Sequence, residues 1–517
     1  MTPASRKGEA TGARRAGAAL SGGLLWVAFL PLPVPGAIQV ALVLVALVPW
    51  IVVTEGLTPG RAARSGAVLG AVFWGLHLGW MLLLATRIGE AWPVFAWAGE
   101  VALLCLLWAG MGAGRAILRE RGVPSVVAVA VAWVAVEWVR GALLGPLRFP
   151  WTGVALPLTR VPLLLQPAAW GGEAALALAV VAGNGLVAEA VLGRGRGSGV
   201  RAGMRVLALL AVWTTVGVLR LAWDEGREVE RARVTVVQPD VPLAVRRGDG
   251  AGDRALETLR LGLAAARRET SQLVIFPETH LPFAVDAGGE AAEGLPDRGV
   301  APLPAGVLDE MVAWVREEGR DLVVGGYLRD SRGVMNAGLR IDAEGLAGAY
   351  GKQALVPGVE WSPGGGLVRG SNPRPLDAPG RPGMLICIES AWGSLALARA
   401  RAGAGWLLNV TNDAWLAETP GSLGGAAFGQ HPWHLALRSV ETGLGAVRVG
   451  NDGWSGTTDP MGRWVPALPA HTAGVATVRV SSLPGPTLFV RWGGWLGPLC
   501  GLLVAGAWIL RRRPAPA

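Results

Sequence analysis

Three side chains with complementary chemistry fall at the ends of apolar runs: a carboxylate at Glu278 (Ile275-Phe276-Pro277-Glu278-Thr279-His280), an ammonium at Lys352 and a thiol at Cys387 (Leu385-Ile386-Cys387-Ile388-Glu389). A thiol attacks a carbonyl carbon well only when one group removes its proton and another stabilises the oxyanion that forms. A carboxylate and an ammonium can do those two jobs. Each residue taken singly has a plainer reading: Cys387 as a small buried hydrophobe, Glu278 as a solvated loop acid, Lys352 as a surface cation.

Rival constellations are poorer. His431 and His434 have a zinc-like spacing, but no Cys or acidic ligand cluster accompanies them, and neither a metal nor a cofactor is expected. A cysteine protease would need His280, His431 or His434 as base and would leave Glu278 and Lys352 without a role. The 76 glycines form no phosphate-binding or dinucleotide fingerprint between a strand and a helix. Of the three cysteines, Cys105 and Cys500 lie inside long apolar runs, so Cys387 is expected to be a free thiol with no disulfide partner.

The elements that must position these groups read as an α/β layered domain. Strand-like runs occur at 232–238, 272–276, 321–327, 383–388, 405–410, 445–449 and 474–480, with helical patterns at 253–269, 304–318, 393–402 and 431–442. Alternation of this kind packs helices on sheets. Asp342-Ala343-Glu344-Gly345 and Asp459-Pro460-Met461-Gly462 have the turn chemistry of hairpins. Two Gly/Pro-rich stretches, 284–306 and 416–430, read as long loops, either of which could shape an entrance.

Residues 232–482 resemble the carbon–nitrogen hydrolase (nitrilase) superfamily, whose Glu–Lys–Cys triad occurs in this order on an α-β-β-α sandwich. The resemblance extends through Asn409-Val410-Thr411-Asn412-Asp413-Ala414-Trp415, then Arg438, Glu441 and Val449-Gly450-Asn451-Asp452-Gly453-Trp454-Ser455-Gly456. It implies Glu278, Lys352 and Cys387 as catalytic residues. Ile388 stands where the family commonly has an aromatic residue, Gly358-Val359 replaces Phe-Gly, and Ala414 replaces a glycine.

The rest of the chain is of another kind. Hydrophobic residues make up 51% of it and charged ones 16%, against about 25% charged in soluble domains; the mean hydropathy is +0.41. A bilayer span needs about 20 apolar residues. Candidates lie at 17–33, 37–53, 65–86, 92–112, 123–140, 168–192, 203–223 and 488–510, an expected bundle of eight transmembrane helices. The division expected is a membrane bundle over 1–223, a catalytic domain over 224–485, and a last span with a basic tail over 486–517. The net charge of +9 is no sign of nucleic-acid binding, because much of it sits in short segments between apolar runs. Arg6, Lys7, Arg14, Arg15, Arg61, Arg64, Arg115, Arg119, Arg121, Arg194, Arg196, Arg201, Arg205, Arg511, Arg512 and Arg513 fall on one side of the alternating topology. Arg87, Arg140, Arg148 and Arg160 fall on the other. That bias puts both chain ends in the cytoplasm and 224–485 outside it. Trp26, Trp50, Trp92, Trp151, Trp170 and Trp223 read as an interfacial belt. Glu100 and Glu137 either line a lipid-access cavity or make internal helix contacts.

With seven spans before the α/β domain and one after, the whole chain resembles the apolipoprotein N-acyltransferase family. That resemblance implies a bacterial inner-membrane protein with its catalytic domain on the periplasmic side, Glu360 and Glu389 as supporting carboxylates, and two half-reactions: a phospholipid acyl donor forms a thioester on Cys387, and a diacylglyceryl-apolipoprotein accepts the acyl chain on its α-amine. It implies no nucleic-acid partner, and a monomer is expected. Two other functions are open: a membrane-anchored amidase or nitrilase, and a non-catalytic binding or transport protein. The eight-span frame disfavours the first, since a hydrolase of soluble substrates gains little from it. The spans lack the internal symmetry expected of the second.

Overall fold

The computed structural model describes residues 3–31, 34–193, 198–287, 300–362, 365–417 and 421–511. The chain divides into two units, one comprising Met1–Ala222, Thr419–Trp433 and Trp492–Ala517, the other Trp223–Glu418 and His434–Arg491.

The first unit is helical. Gly36–Val53, Trp92–Glu120, Ser125–Leu143, Ala168–Leu192 and Gly199–Asp224 are each long and apolar enough to cross a bilayer. The run expected as one span at 65–86 is two helices, Pro59–His77 and Trp80–Thr86, bent by 42°. The expected last span is also broken: Leu488–Trp492 is followed by Leu496–Arg511, with Gly493 between them at φ 78°. Counting the bent pair as one gives six spans among the described residues, while Leu496–Arg511 is shorter and Pro3–Phe29 is not among them. Helix Pro59–His77 packs closely on Trp92–Glu120 because Gly66 and Gly112 have no side chain; a Cβ at either would strike the other helix's backbone. Leu207, Val212 and Leu219 leave apolar surface exposed along Ser198–Asp224, as lipid solvation permits.

Several sequence expectations shift here. Trp50 and Trp151 are buried rather than on a lipid-facing belt, while Trp170 and Trp223 are exposed. Arg115 and Arg140 are not loop charges: both are buried. Arg115 pairs with Glu55 at 2.6 Å, and Arg140 donates to the carbonyls of Phe149, Trp151 and Thr152. Glu137 makes internal contacts, accepting from Trp133 Nε1 at 2.9 Å and Val154 N at 2.8 Å. Arg194, Arg196, Arg512 and Arg513 lie outside the described residues.

The second unit is a sandwich of two sheets. Its first eight strands are β1 (Val229–Gln238), β2 (Leu273–Ile275), β3 (Ala284–Asp286), β4 (Asp321–Asp330), β5 (Gly333–Asp342), β6 (Gly345–Gly351), β7 (Trp361–Ser362) and β8 (Gly365–Gly366). The others are β9 (Pro382–Ile386), β10 (Trp406–Thr411), β11 (Ala446–Gly450), β12 (Ser455–Thr458), β13 (Trp464–Leu468) and β14 (Gly474–Ser482). One sheet has the order β14-β1-β2-β4-β5-β6 with β3 beside β4; the other runs β13-β12-β11-β10-β9; β7 and β8 pair alone. Both predicted hairpins are present, β5–β6 and β12–β13.

Strand alternation sorts the side chains into layers. Val234, Val236, Ile275 and Val323 face Met384, Ile386, Leu408 and Val449 between the sheets. Val237, Val274, Leu322 and Val324 point the other way, onto helices Ala251–Ala266 and Val307–Glu318. Leu385, Leu407 and Ala446 face Ala396 and Leu435 on helices Gly393–Arg401 and Gly421–Thr442. The result is the expected α-β-β-α sandwich. The stretch expected as a loop at 416–430 is instead largely helical, since Gly421–Thr442 is one helix with Pro432 inside it. Glycine and proline lower helix propensity, but Phe428, Gln430 and His431 are buried and tertiary packing decides. Most of the other expected loop, residues 288–299, lies outside the described residues.

Candidate active site

Glu278 sits three residues past β2, where the chain turns sharply: Thr279 has φ 46°. Gly325 on β4 lies directly behind it, and a Cβ there would come within 2.7 Å of Glu278 Cα. Lys352 follows β6 and is only 1% exposed. Its Nζ donates to Glu278 Oε1 at 2.9 Å and to Glu360 Oε1 at 2.9 Å. Asn336 on β5 bridges the same two oxygens, donating to each at 2.8 Å. The remaining carboxylate oxygens take backbone donors: Asn412 N at 3.0 Å on Glu278 Oε2 and Val356 N at 2.9 Å on Glu360 Oε2. One cation therefore stands between two buried carboxylates, with every oxygen satisfied. Such a group is costly to bury unless paired and hydrogen-bonded, and here it is both.

Cys387 opens a tight turn, Cys387–Ala391, directly after β9, with φ 53°. A left-handed conformation costs an L-residue about 1–2 kcal/mol, and such strain persists where the surroundings over-determine it. Asn409 Nδ2 holds the carbonyls of Leu385 and Cys387 at 3.1 and 3.2 Å, and Ser390 Oγ also donates to Cys387 O. Asn409 is in turn fixed by Arg448, which donates to its Oδ1 at 2.7 Å and ion-pairs with Asp413. The strongest charged neighbours of the thiol are Glu278, Lys352, Asp413 and Glu360. The structure thus brings Glu278, Lys352, Glu360 and Cys387 into one electrostatic cluster.

The electrostatics set the resting protonation. Burial, reinforced by the Glu278 carboxylate, pushes the Cys387 thiol well above its ordinary value, and Lys352 offsets this only in part. Burial would lower the Lys352 ammonium, but Glu278 and Glu360 outweigh it and hold it well above its usual range. At neutral pH the site holds a thiol and an ammonium, so nucleophilic attack must be accompanied by proton removal. His280 is unsuited to that work. It is buried against Phe276, and burial, with the Arg246 cation nearby, pulls it down to about 3.

Glu389 is fully buried, two residues past Cys387. It accepts from Ile386 N at 2.7 Å, Gln353 N at 2.5 Å, Ala354 N at 3.0 Å and Tyr350 OH at 2.8 Å. Burial raises its carboxyl above the usual range, while these backbone N–H groups and Arg399 act in the opposite direction.

Comparison with known proteins fits both halves of this architecture. Residues 21–186 match the apolipoprotein N-acyltransferase N-terminal domain, and residues 233–483 match the carbon–nitrogen hydrolase domain. The apolipoprotein N-acyltransferase of Gloeobacter violaceus is 30% identical, with 92% of this chain aligned to 90% of that one. The chain belongs to the apolipoprotein N-acyltransferase family. The Allorhizobium ampelinum member is 28% identical over 92% of this chain and 91% of its own. Among solved structures, an amidase from Nesterenkonia sp. is similar at 17% identity over 51% of this chain and 93% of that one, with a TM-score of 0.34.

Of the two carboxylates implied by the N-acyltransferase resemblance, Glu360 accepts from Lys352, and Glu389 accepts from the backbone beside Lys352 and Cys387. The two later motifs also meet: Asn451 Nδ2 donates to Asn412 Oδ1 at 3.2 Å, and Gly453 lies against Asp413. Arg438 and Glu441 form a buried pair at 3.2 Å. Sequence reasoning missed Asn336, Tyr350 and Arg399. The available signal was an Asn in the otherwise apolar run Val334-Met335-Asn336-Ala337-Gly338-Leu339, paired across a hairpin from the Lys352 segment.

Proposed function

We propose that this chain moves a fatty acyl group from a membrane phospholipid to the free α-amino group of a diacylglyceryl-cysteine at an apolipoprotein N-terminus, through a thioester on Cys387. The observation that carries this is the buried Lys352 held between Glu278 and Glu360 beside a strained, protonated thiol, in a chain with membrane-length apolar helices. In the first half-reaction the Cys387 proton passes to Glu278 as the sulfur bonds to the ester carbon. Lys352 and a backbone N–H near Ile388 stabilise the tetrahedral oxyanion. The carbon–oxygen bond then breaks, and the lysophospholipid alkoxide leaves with the proton from Glu278. In the second half-reaction the acceptor amine attacks the thioester and gives its proton to Glu278. The carbon–sulfur bond breaks, and the thiolate recovers that proton. Glu360 keeps Lys352 charged and in place.

Under this reading residues 224–485 are the catalytic domain, working on the periplasmic side of the bacterial inner membrane, with 1–223 and 486–517 in the bilayer. The distribution of the other arginines between apolar runs, leaving out the buried Arg115 and Arg140, supports that orientation. The test is direct. Purified protein is given a phospholipid with a labelled acyl chain, and mass spectrometry looks for the acyl group on Cys387 and then on a diacylated lipopeptide. Adduct followed by transfer is expected. Adduct released only to water would make the chain a hydrolase. No adduct on the parent protein would remove the thioester mechanism.

A further inference from the structure

Arg399 lies on helix Gly393–Arg401, is fully buried, and is not among the strongest charged neighbours of Cys387 or Lys352. Its Nε donates to Met384 O on β9 at 3.0 Å, its Nη2 donates to Tyr350 OH, and its guanidinium stands 4.6 Å from the centre of the Tyr350 ring. The Tyr350 hydroxyl in turn donates to Glu389 Oε2 at 2.8 Å. Glu389 then closes the circuit. Two of its other donors, Gln353 N and Ala354 N, come directly after Lys352, and the third, Ile386 N, comes directly before Cys387. A single carboxylate therefore ties the chain around Lys352, which follows β6 in one sheet, to the chain around Cys387, which follows β9 in the other.

We propose that Arg399 and Tyr350 are positioning residues for acyl-enzyme formation, acting through Glu389 to hold the Lys352 and Cys387 segments at their working separation. The inference rests on Cys387 being the acylated nucleophile. A fully buried carboxylate is stable only with a counter-charge and a full set of donors, and Arg399 is the buried cation that faces it. Tyr350 bonds directly to Glu389, and the Arg399 charge acts on both of them. Tyr350 is suited to stand between them. Burial and the Glu389 charge keep its phenol protonated, so it donates to the carboxylate while accepting from the guanidinium. A phenylalanine could do neither.

The experiment uses the full chain in detergent with the labelled phospholipid, measuring single-turnover acylation across pH together with thermal unfolding. Tyr350→Phe and Arg399→Met are expected to slow acylation at least ~10-fold at an unchanged half-saturating phospholipid concentration. Both should move the acid limb of the rate profile to higher pH, because Glu389 takes up a proton more readily once a donor or its cation is gone. Arg399→Lys, which keeps the charge, should restore much of that limb. Tyr350→Phe removes one oxygen and carries the test if Arg399→Met does not fold. Parent-like rates and acid limbs in folded Tyr350→Phe, even with a lowered unfolding temperature, would overturn the proposal. Acylation persisting in Cys387→Ala would instead overturn the assignment beneath it.

Discussion

Two buried asparagines, one in each unit, show how differently the halves of this chain use polarity. In the helical unit, Asn184 accepts from Leu47 N at 2.8 Å and donates to the carbonyls of Val43 and Val180 at 3.0 and 2.9 Å. It caps an interruption in the helical ladder between Gly36–Val43 and Val48–Val53. Ser21 does the same for Trp50 N, and Arg140 for the carbonyls of Phe149 and Thr152. Where no water reaches, broken backbone must be satisfied from within. In the sandwich, Asn336 instead bridges two carboxylates that also share Lys352. The first kind of polar group repairs a fold. The second holds charges together against their repulsion.

That contrast can be broken by substitution. Lys352→Met should have the largest effect, leaving Glu278 and Glu360 facing each other in a buried site. Acyl adduct should be lost, with about 3–5 kcal/mol of stability lost in chemical unfolding; a stable, labelled variant would deny Lys352 its place. Glu278→Gln should slow acylation by about 10²–10⁴-fold yet act in the opposite sense on simple alkylation of Cys387. Removing the Glu278 charge lowers the thiol, so iodoacetamide should react faster at a given pH than with the parent. In the parent, alkylation should keep rising above pH ~8.5, the ordinary thiol value, since the folded thiol ionises only beyond it. A plateau near neutrality would contradict the protonated resting state.

Gly325→Ala adds one carbon against Pro277 and Glu278. Displacement of Glu278 by a fraction of an ångström to an ångström should cost up to about 10²-fold in acylation rate if it is the proposed base, read by the same adduct assay with a folded control. Asn184→Leu should be the mildest for chemistry. It leaves Leu47 N and Val43 O without their partner, lowering stability by about 1–3 kcal/mol, while folded protein acylates at the parent rate. A rate loss there would erase the distinction between the two asparagines.

What the sequence disclosed follows from where its signals are strong. Apolar strands bounded by turn residues were readable, so the sandwich and both hairpins came through, and Glu278, Lys352 and Cys387 stood out by lying at strand ends. Asn336 and Arg399 did not, because their roles depend on neighbours far along the chain: 58 residues separate Asn336 from Glu278, and 49 separate Arg399 from Tyr350. The helix at Gly421–Thr442 was missed because glycine and proline speak against a helix locally while burial speaks for it. The bends at 77–80 and 492–496 were missed for a related reason: hydropathy measures how apolar a run is, not whether its backbone is continuous.

The corner on which Cys387 sits has a consequence for the balance between resilience and work. Any L-residue placed there inherits the same awkward backbone, whereas a glycine would rest in it comfortably. The fold would be calmer with no side chain at that position, so a Cys387→Gly chain should unfold no more readily than the parent while lacking the only sulfur the proposed thioester could use.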